Sequence, residues 1–508
     1  MKYVIGIDLG TSALKAVLFR ADGQEIASAT EPLTMRQPKN GWAEQDPEDW
    51  YRAAIAALKH VMASGGVDRE QVVSIGLSGQ MHGLVMLDRA GAVLRPCILW
   101  CDQRTKQECE ELTRCVGSER LIEITANPAL TGFTASKILW VKHHEPEIFV
   151  NCCHILLPKD YLRYRLSGVF ATDVSDASGM QLLDVPRRAW SAEMAEVLGI
   201  PLEYLPKLYE SCEVTAGLSE KAAGLTGLTS GTPIVAGAGD NAAAAVGTGT
   251  VREGRAFTTI GTSGVVYAHT EKPMLDPRGR VHTFCCAVPG CWHVMGVTQG
   301  AGLSLQWFRN QFCGPEQAEA EQTGRPVYTI MDEEAGQIPI GADRLLYLPY
   351  LMGERTPHLD PDCRGAFLGI SAMHTRAHFI RAVMEGVTYS LCDCLSVMRE
   401  MGLKAETMLV TGGGGKSALW RQMLCDAFNL PVKTAGSSEG PALGAAILAA
   451  VGGGLYSDVL SACAAMVKES GDCRLPVSEN TAQYRRCYEV YRSLYGQLKP
   501  VFQALLSI

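Results

Sequence analysis

One tripeptide occurs twice in matching surroundings. "DLGTSALKAVLF", opening at Asp8, and "TIGTSGVVYAH", opening at Thr259, each carry an apolar run, then Gly-Thr-Ser, then a second apolar run. Short apolar runs bounded by turn residues read as buried strands. Each copy is therefore a strand–turn–strand unit, at Gly10-Thr11-Ser12 and at Gly261-Thr262-Ser263. Repetition in the same context points to a duplicated domain, with its boundary near residues 245 to 255. A chain of 508 residues is too long for one ordinary core. Two domains, 1–245 and 246–508, account for both observations.

Local patterns extend this into an α/β chain. "YVIGIDLG", "LKAVLFR" and "EIASATEPL" read as three consecutive strands, with Asp22-Gly23 turning the second into the third. "DPEDWYRAAIAALKHVMAS" reads as an amphipathic helix, with Asp46 as its N-cap, Pro47 in its first turn and Trp50, Ile55, Leu58 and Val61 on one face. "VVSIGLSG" returns as a strand. The second half alternates in the same way through "RLLYLPYL", "TRAHFIRAVMEGVTYSLCDCLSVMRE", "ETMLVTGGGG" and "KSALWRQMLCDAFN", and a helix closes the chain.

Composition narrows the functional classes. A net charge of -8 disfavours a nucleic-acid surface. No apolar run has membrane-spanning length; "PALGAAILAAVGGG" is too short and reads as a buried helix. Met1-Lys2-Tyr3 runs directly into "VIGIDLG", which carries Asp8, so no secretory signal and a reduced, cytoplasmic setting are expected. The 18 cysteines show no Cys-x-x-Cys spacing in their clusters and read as small buried apolar residues.

Six stretches carry candidate chemistry. Gly10 and Gly261 let a backbone turn sharply and approach a phosphate, while amides and the hydroxyls of Thr11, Ser12, Thr262 and Ser263 donate to it. Asp8 is placed to hold Mg²⁺ through water. Gly412-Gly413-Gly414-Gly415 lies between a strand and a helix, a junction suited to a nucleotide's phosphates or base. It is not a P-loop, since position 410 is Val410 where that motif needs glycine. Met81 and His82 follow a strand, with Trp100, Asp102 and Arg104 available to a polyol; a core histidine and a salt bridge are the structural alternatives. Asp240 and Asn241 stand alone among small residues in "GAGDNAAAAVG". Poor solvation raises a carboxylate's pKa and makes it a better base, and a helix N-cap role is compatible with that.

Taken with "GWAEQDPEDWY", "LTGFTASKILWVKHHEPEIF", "TDVSDASGMQLLDV", "LPYLMGERTPHLDP" and "GPALGAAILAA", these stretches resemble the FGGY carbohydrate kinase family over nearly the whole chain up to about residue 450. The resemblance implies two duplicated ribonuclease-H-like domains, of the actin and hexokinase ATPase type, around a central cleft. It implies ATP, Mg²⁺ and a small-molecule sugar as partners, no nucleic acid or membrane, and allows a homodimer. By the same resemblance Asp240 is the proton acceptor, with Met81, His82, Trp100, Asp102 and Asn241 on the sugar side. Asp8, Thr11 and Ser12 serve Mg²⁺ and phosphate, Gly261 to Ser263 the second phosphate loop, and Gly412 to Gly415 the adenosine side. D-xylulose phosphorylated at O5 is the implied reaction, with gluconate, L-ribulose and glycerol as rival acceptors and a non-catalytic nucleotide switch as the rival class. Two residues depart from the family pattern: Cys101 stands where asparagine is expected, and Lys416 where alanine is common.

Overall fold

The computed structural model describes residues 1–436 and 440–508. Its first half is built on β1 (Tyr3–Leu9), β2 (Ala13–Arg20), β3 (Glu25–Pro32), α1 (Pro47–Gly65), β4 (Val72–Gly79), β5 (Val214–Gly217), β6 (Pro233–Val235), β7 (Ala238–Gly239) and α2 (Asp240–Gly247). The sheet order is β5-β6-β4-β1-β2-β3, with β7 joining β4 beyond the end of β6. β1 is antiparallel to β2, from Tyr3 opposite Arg20 to Leu9 opposite Leu14, and parallel to β4.

The second half uses β8 (Gly254–Ile260), β9 (Gly264–Thr270), β10 (His282–Cys285), β11 (Trp292–Thr298), α3 (Arg376–Glu400), β12 (Ala405–Thr411), α4 (Ala418–Phe428), β13 (Val432–Ala435), α5 (Gly440–Gly452), β14 (Glu469–Arg474) and α6 (Ser478–Leu505). Its order is β10-β11-β9-β8-β12-β13-β14. Strands β11, β9, β8, β12, β13 and β14 occupy the places of β3, β2, β1, β4, β6 and β5, with every pairing in the same sense. The duplication inferred from two tripeptides is thus a duplicated sheet, with β10 added at one edge. "RLLYLPYL" departs from the expected pattern. Its strand, Leu346–Leu348, pairs only with Ala366–Leu368, outside the main sheet.

Local chemistry sets these elements. The Asp46 side chain accepts from Glu48 N, Pro47 opens α1, and Gly66 ends it in the left-handed region. Trp50, Leu58 and Val61 are buried, each contributing about 1.5–3 kcal/mol, while Ile55 is only half-buried. The residues between β4 and β5 fold largely into a helical layer with its own apolar core, which includes Leu112, Leu121 and Ile138.

Each half sends one helix across to the other. α5 lies on the first sheet so closely that a Cβ at Gly6 or Gly76 would sit 2.0 Å or 1.9 Å from the carbonyl oxygens of Ala442 and Ala445. α2 reaches the second sheet, where Ala245 clusters with Phe257 and Leu409. The two helices cross at glycines: a Cβ on Gly444 would be 1.8 Å from Ala243 O, and one on Gly247 1.9 Å from Gly440 O. Enclosed by a sheet and a helix, α5 is buried continuously from Ala442 to Ala450, the buried helix expected from its sequence. Among the described residues, no helix is long and apolar enough to cross a membrane.

Candidate active site

Asp240 is the first residue of α2, and Gly239 takes the N-cap position with no side-chain cap. This corrects the expectation that Asp240 caps the helix: its Oδ1 instead accepts from Asn241 N at 2.7 Å and Asn241 Nδ2 at 3.0 Å. Burial pushes the carboxyl up to about 7, and the nearby charge of Asp8 adds to the shift. The proton is therefore shared near neutrality, the condition for a general base. Asp8, at the end of β1, accepts from Ser78 Oγ at 3.0 Å, and Lys15 stands opposite it in the β1–β2 ladder.

A cavity of about 690 Å³ runs from Asp240 and Asn241 to the glycine loop, reaching Gly412, Gly415 and Gly436. That volume suits a small ligand. Gly412 has φ +81 and its back is against Ile260 O, whereas Gly413 has nothing within 4 Å of a built Cβ. Arg421, itself on the cavity wall, holds the loop. Its Nη1 donates to Gly415 O at 2.8 Å and Lys416 O at 3.0 Å, and its Nη2 pairs with Asp472 at 2.7 Å. Lys416 is exposed on the cavity wall.

The two Gly-Thr-Ser turns close on themselves over different spans. Gly10 N donates to Ala13 O at 3.0 Å, and Gly261 N donates to Ser263 O at 3.1 Å. Neither glycine is left-handed, so the sharp turn expected of them is made with ordinary φ angles. The close approach is made by Gly302, whose N donates to Gly261 O at 2.7 Å and where a Cβ would sit 2.5 Å from that oxygen. Ser12, Thr262 and Ser263 are exposed. Thr11 Oγ1 donates to Gln80 Oε1 at 3.1 Å and accepts from Trp100 Nε1 at 3.0 Å. Gln45 joins the set, donating to Thr11 O and accepting from Gln80 Nε2.

His82 adopts φ 68, and its carbonyl is fixed by Lys137 Nζ at 2.8 Å and Thr134 Oγ1 at 3.1 Å. Burial, reinforced by the Lys137 charge, drives the imidazole well below its usual range. A neutral ring whose Nδ1 donates to Gly179 O at 3.0 Å keeps Nε2 as an acceptor. Phe133, His282 and Phe284 pack around it. Met81 is buried, its thioether against Gly239, so it supports the backbone leading into Asp240. Trp100 is 41% exposed beside the first turn.

Asp102 does not reach the cleft. It is fully buried, accepting from Ala43 N and pairing with Arg104 at 2.7 Å. The expected sugar contact gives way to a buried ion pair that shapes the 100–104 turn. Cys101 turns to Met35, Sγ to Sδ 3.9 Å. Behind Asp240 lies a cluster absent from the sequence-based candidates. Lys159 Nζ sits 2.6, 2.8 and 3.5 Å from Asp160, Asp173 and Asp176, all fully buried. Ser175, bonded to Asp173, accepts from Gly239 N at 3.2 Å and connects the cluster to the start of α2 beside Asp240.

Known proteins resemble the chain over its whole length. The FGGY carbohydrate kinase N-terminal domain matches residues 3–247 and the C-terminal domain matches residues 256–453. The chain is 41% identical over 507 residues to the xylulose kinase of Bacillus subtilis (strain 168), covering 100% of this chain and 99% of that one. It is 31% identical over 503 residues to a gluconokinase of Bacillus licheniformis, covering 98% and 96%. The crystal structure of xylulose kinase from Rhodospirillum rubrum superposes with a TM-score of 0.92 at 30% identity, covering 99% of this chain and 100% of that one. The chain belongs to the FGGY family of carbohydrate kinases.

Proposed function

We propose that the chain transfers the terminal phosphoryl group of ATP to the O5 hydroxyl of D-xylulose, giving D-xylulose 5-phosphate in pentose catabolism in the cytoplasm. The observation that carries the proposal is Asp240, a poorly solvated acid at the wall of a cavity that continues to a glycine loop. Identity near 40% to xylulose kinases over the whole chain supports the acceptor.

Asp240 accepts the hydroxyl proton as the sugar oxygen attacks phosphorus, a contribution of about 10²–10⁴ in rate. His82 Nε2 accepts from a second hydroxyl and fixes the sugar's orientation, and Asn241 holds the Asp240 carboxylate through its amide. Exposed Thr262 and Ser263, with Ser12 across the cleft, offer hydroxyls and amides to the phosphates. Gly412 to Gly415 present bare backbone to the nucleoside side. Mg²⁺ keeps most of its waters, so a single carboxylate such as Asp8 suits it; when bound it neutralises charge on the transferring phosphates. Phosphoryl transfer asks mainly for such positioning and charge compensation.

The similarity to a gluconokinase makes an aldonate the second acceptor to test. Coupled release of ADP, measured with ATP, Mg²⁺ and a panel of ketoses, polyols and aldonates, decides between them. D-xylulose is expected to give the highest kcat/KM. A gluconate maximum would reassign the acceptor, and ATP hydrolysis indifferent to every sugar would favour a nucleotide-dependent switch.

A further inference from the structure

The hairpin joining β10 to β11 sets two cysteines against each other. Cys285 is the register partner of Trp292, so the next opposed pair is Cys286 and Cys291, and Cys286 N donates to Cys291 O at 3.1 Å. Opposed residues in an antiparallel ladder have Cα atoms about 4.5–5.5 Å apart, inside the window of about 4.4–6.8 Å that a disulfide needs. His269 Nδ1 lies 3.7 Å from Cys286 Sγ. Cys286 is buried in the apolar cluster that also holds Ala242 and Val246 of α2, while Cys291 is only half-buried. From the first half of the chain, Arg188 Nη1 donates to Cys291 O at 2.7 Å and brings a positive charge beside the pair.

The two sulfurs differ in kind. Its neighbours Cys286 and His269 hold the Cys291 thiol below the ordinary thiol range, whereas burial pushes Cys286 well above it. Every other described cysteine whose thiol is displaced from its ordinary range is raised, as a buried apolar thiol is. The general expectation for the cysteines therefore has one exception, and it coincides with the cross-strand pair.

We propose that Cys291 and Cys286 form a peroxide-reactive dithiol, with Cys291 as the attacking sulfur and Cys286 as the resolving one. The Cys291 thiolate attacks one oxygen of hydrogen peroxide. A sulfur–oxygen bond forms, the O–O bond breaks, and the departing hydroxide takes a proton to become water. The Cys286 sulfur then attacks the Cys291 sulfur of the sulfenic acid. The sulfur–sulfur bond forms, the sulfur–oxygen bond breaks, and hydroxide leaves with the Cys286 proton as a second water. Two thiols are oxidised to one disulfide, and one peroxide is reduced to two waters.

The test uses the full chain with limiting hydrogen peroxide at neutral pH, thiol capture by alkylation and a non-reduced peptide map. Exposed Cys115 and Cys473 serve as internal comparators. The 286–291 link is expected to form at least about tenfold faster than either comparator is oxidised, because a stabilised thiolate reacts faster than an ordinary thiol. Reductant should restore both thiols. Cys291→Ser should leave Cys286 unreacted, and Cys286→Ser should stop at a sulfenic acid that a 1,3-dione probe captures. Oxidation of Cys115 or Cys473 before the pair, or a wild-type map without the link, would overturn the proposal.

Discussion

A carboxylate at the first turn of a helix, facing a second carboxylate, gains little from water and something from the helix end. For Asp240 the balance favours the proton, and burial together with Asp8 sets its carboxyl at about 7. Turnover should therefore rise with pH through about 7, as the form able to accept a proton accumulates. Asp240→Asn should lower kcat by about 10²–10⁴ and abolish that rise, measured as kcat against pH with D-xylulose saturating. Stability follows the opposite sign. A carboxyl raised in the folded state contributes stability that is complete below its unfolded value and is lost as pH rises through about 7. The melting temperature of wild type minus that of Asp240→Asn should therefore fall between pH 5 and pH 8. The cluster behind the base makes a second residue-scale prediction. Asp176 is already raised well above a usual carboxylate, chiefly by burial, so Asp176→Asn should be nearly neutral. Lys159→Met leaves buried aspartates without their cation and should cost about 3–5 kcal/mol in urea unfolding.

At the scale of elements, adjacent glycines separate fold from function. Gly412 is left-handed, with a Cβ position 2.6 Å from Ile260 O, so Gly412→Ala should lose about 1–3 kcal/mol of stability and raise KM for ATP. Gly413 has φ -60 and open space around it. Gly413→Ala should leave thermal stability unchanged and raise KM for ATP alone; an unchanged KM would place the nucleotide away from this residue. Elements whose signals are local were legible in the sequence: α1 from Asp46 and Pro47, the β2–β3 hairpin from Asp22-Gly23, and the glycine loop from its strand and helix neighbours. Asp240 stood out because its neighbours are so small. What escaped was non-local. Gln45 and Gln80 meet Thr11 only after folding, and Asp102 looked accessible until Ala43 and Arg104 were brought to it. Lys137 and Lys159 carry no local signal that sets them apart from surface lysines. Their meaning lies in partners, His82 and three aspartates, that no spacing rule connects.

The whole molecule is governed by how its two copies are joined. α2 carries Asp240 from the first half onto the second sheet, and α5 returns from the second half onto the first, so the cleft's angle is set where they cross. Gly444 is the closest point, 1.8 Å between a built Cβ and Ala243 O, with backbone on the opposing side that has nowhere to retreat. Gly444→Ala must therefore move one helix relative to the other, an overpacking cost of about 1–3 kcal/mol. Because α2 begins at Asp240, the displacement changes the distance between Asp240 and the Gly-Thr-Ser turns although Gly444 lies four residues into α5. The expected outcome is a folded variant with lower kcat, and a loss of the compaction that small-angle scattering should record when wild type binds sugar with a non-hydrolysable ATP analogue. Gly496→Ala, on the exposed face of α6 with nothing within 4 Å, is the matched control and should gain up to about 1 kcal/mol from helix propensity with turnover unchanged. A Gly444→Ala variant that compacts and turns over like wild type would mean that the crossing of α2 and α5 does not set the cleft.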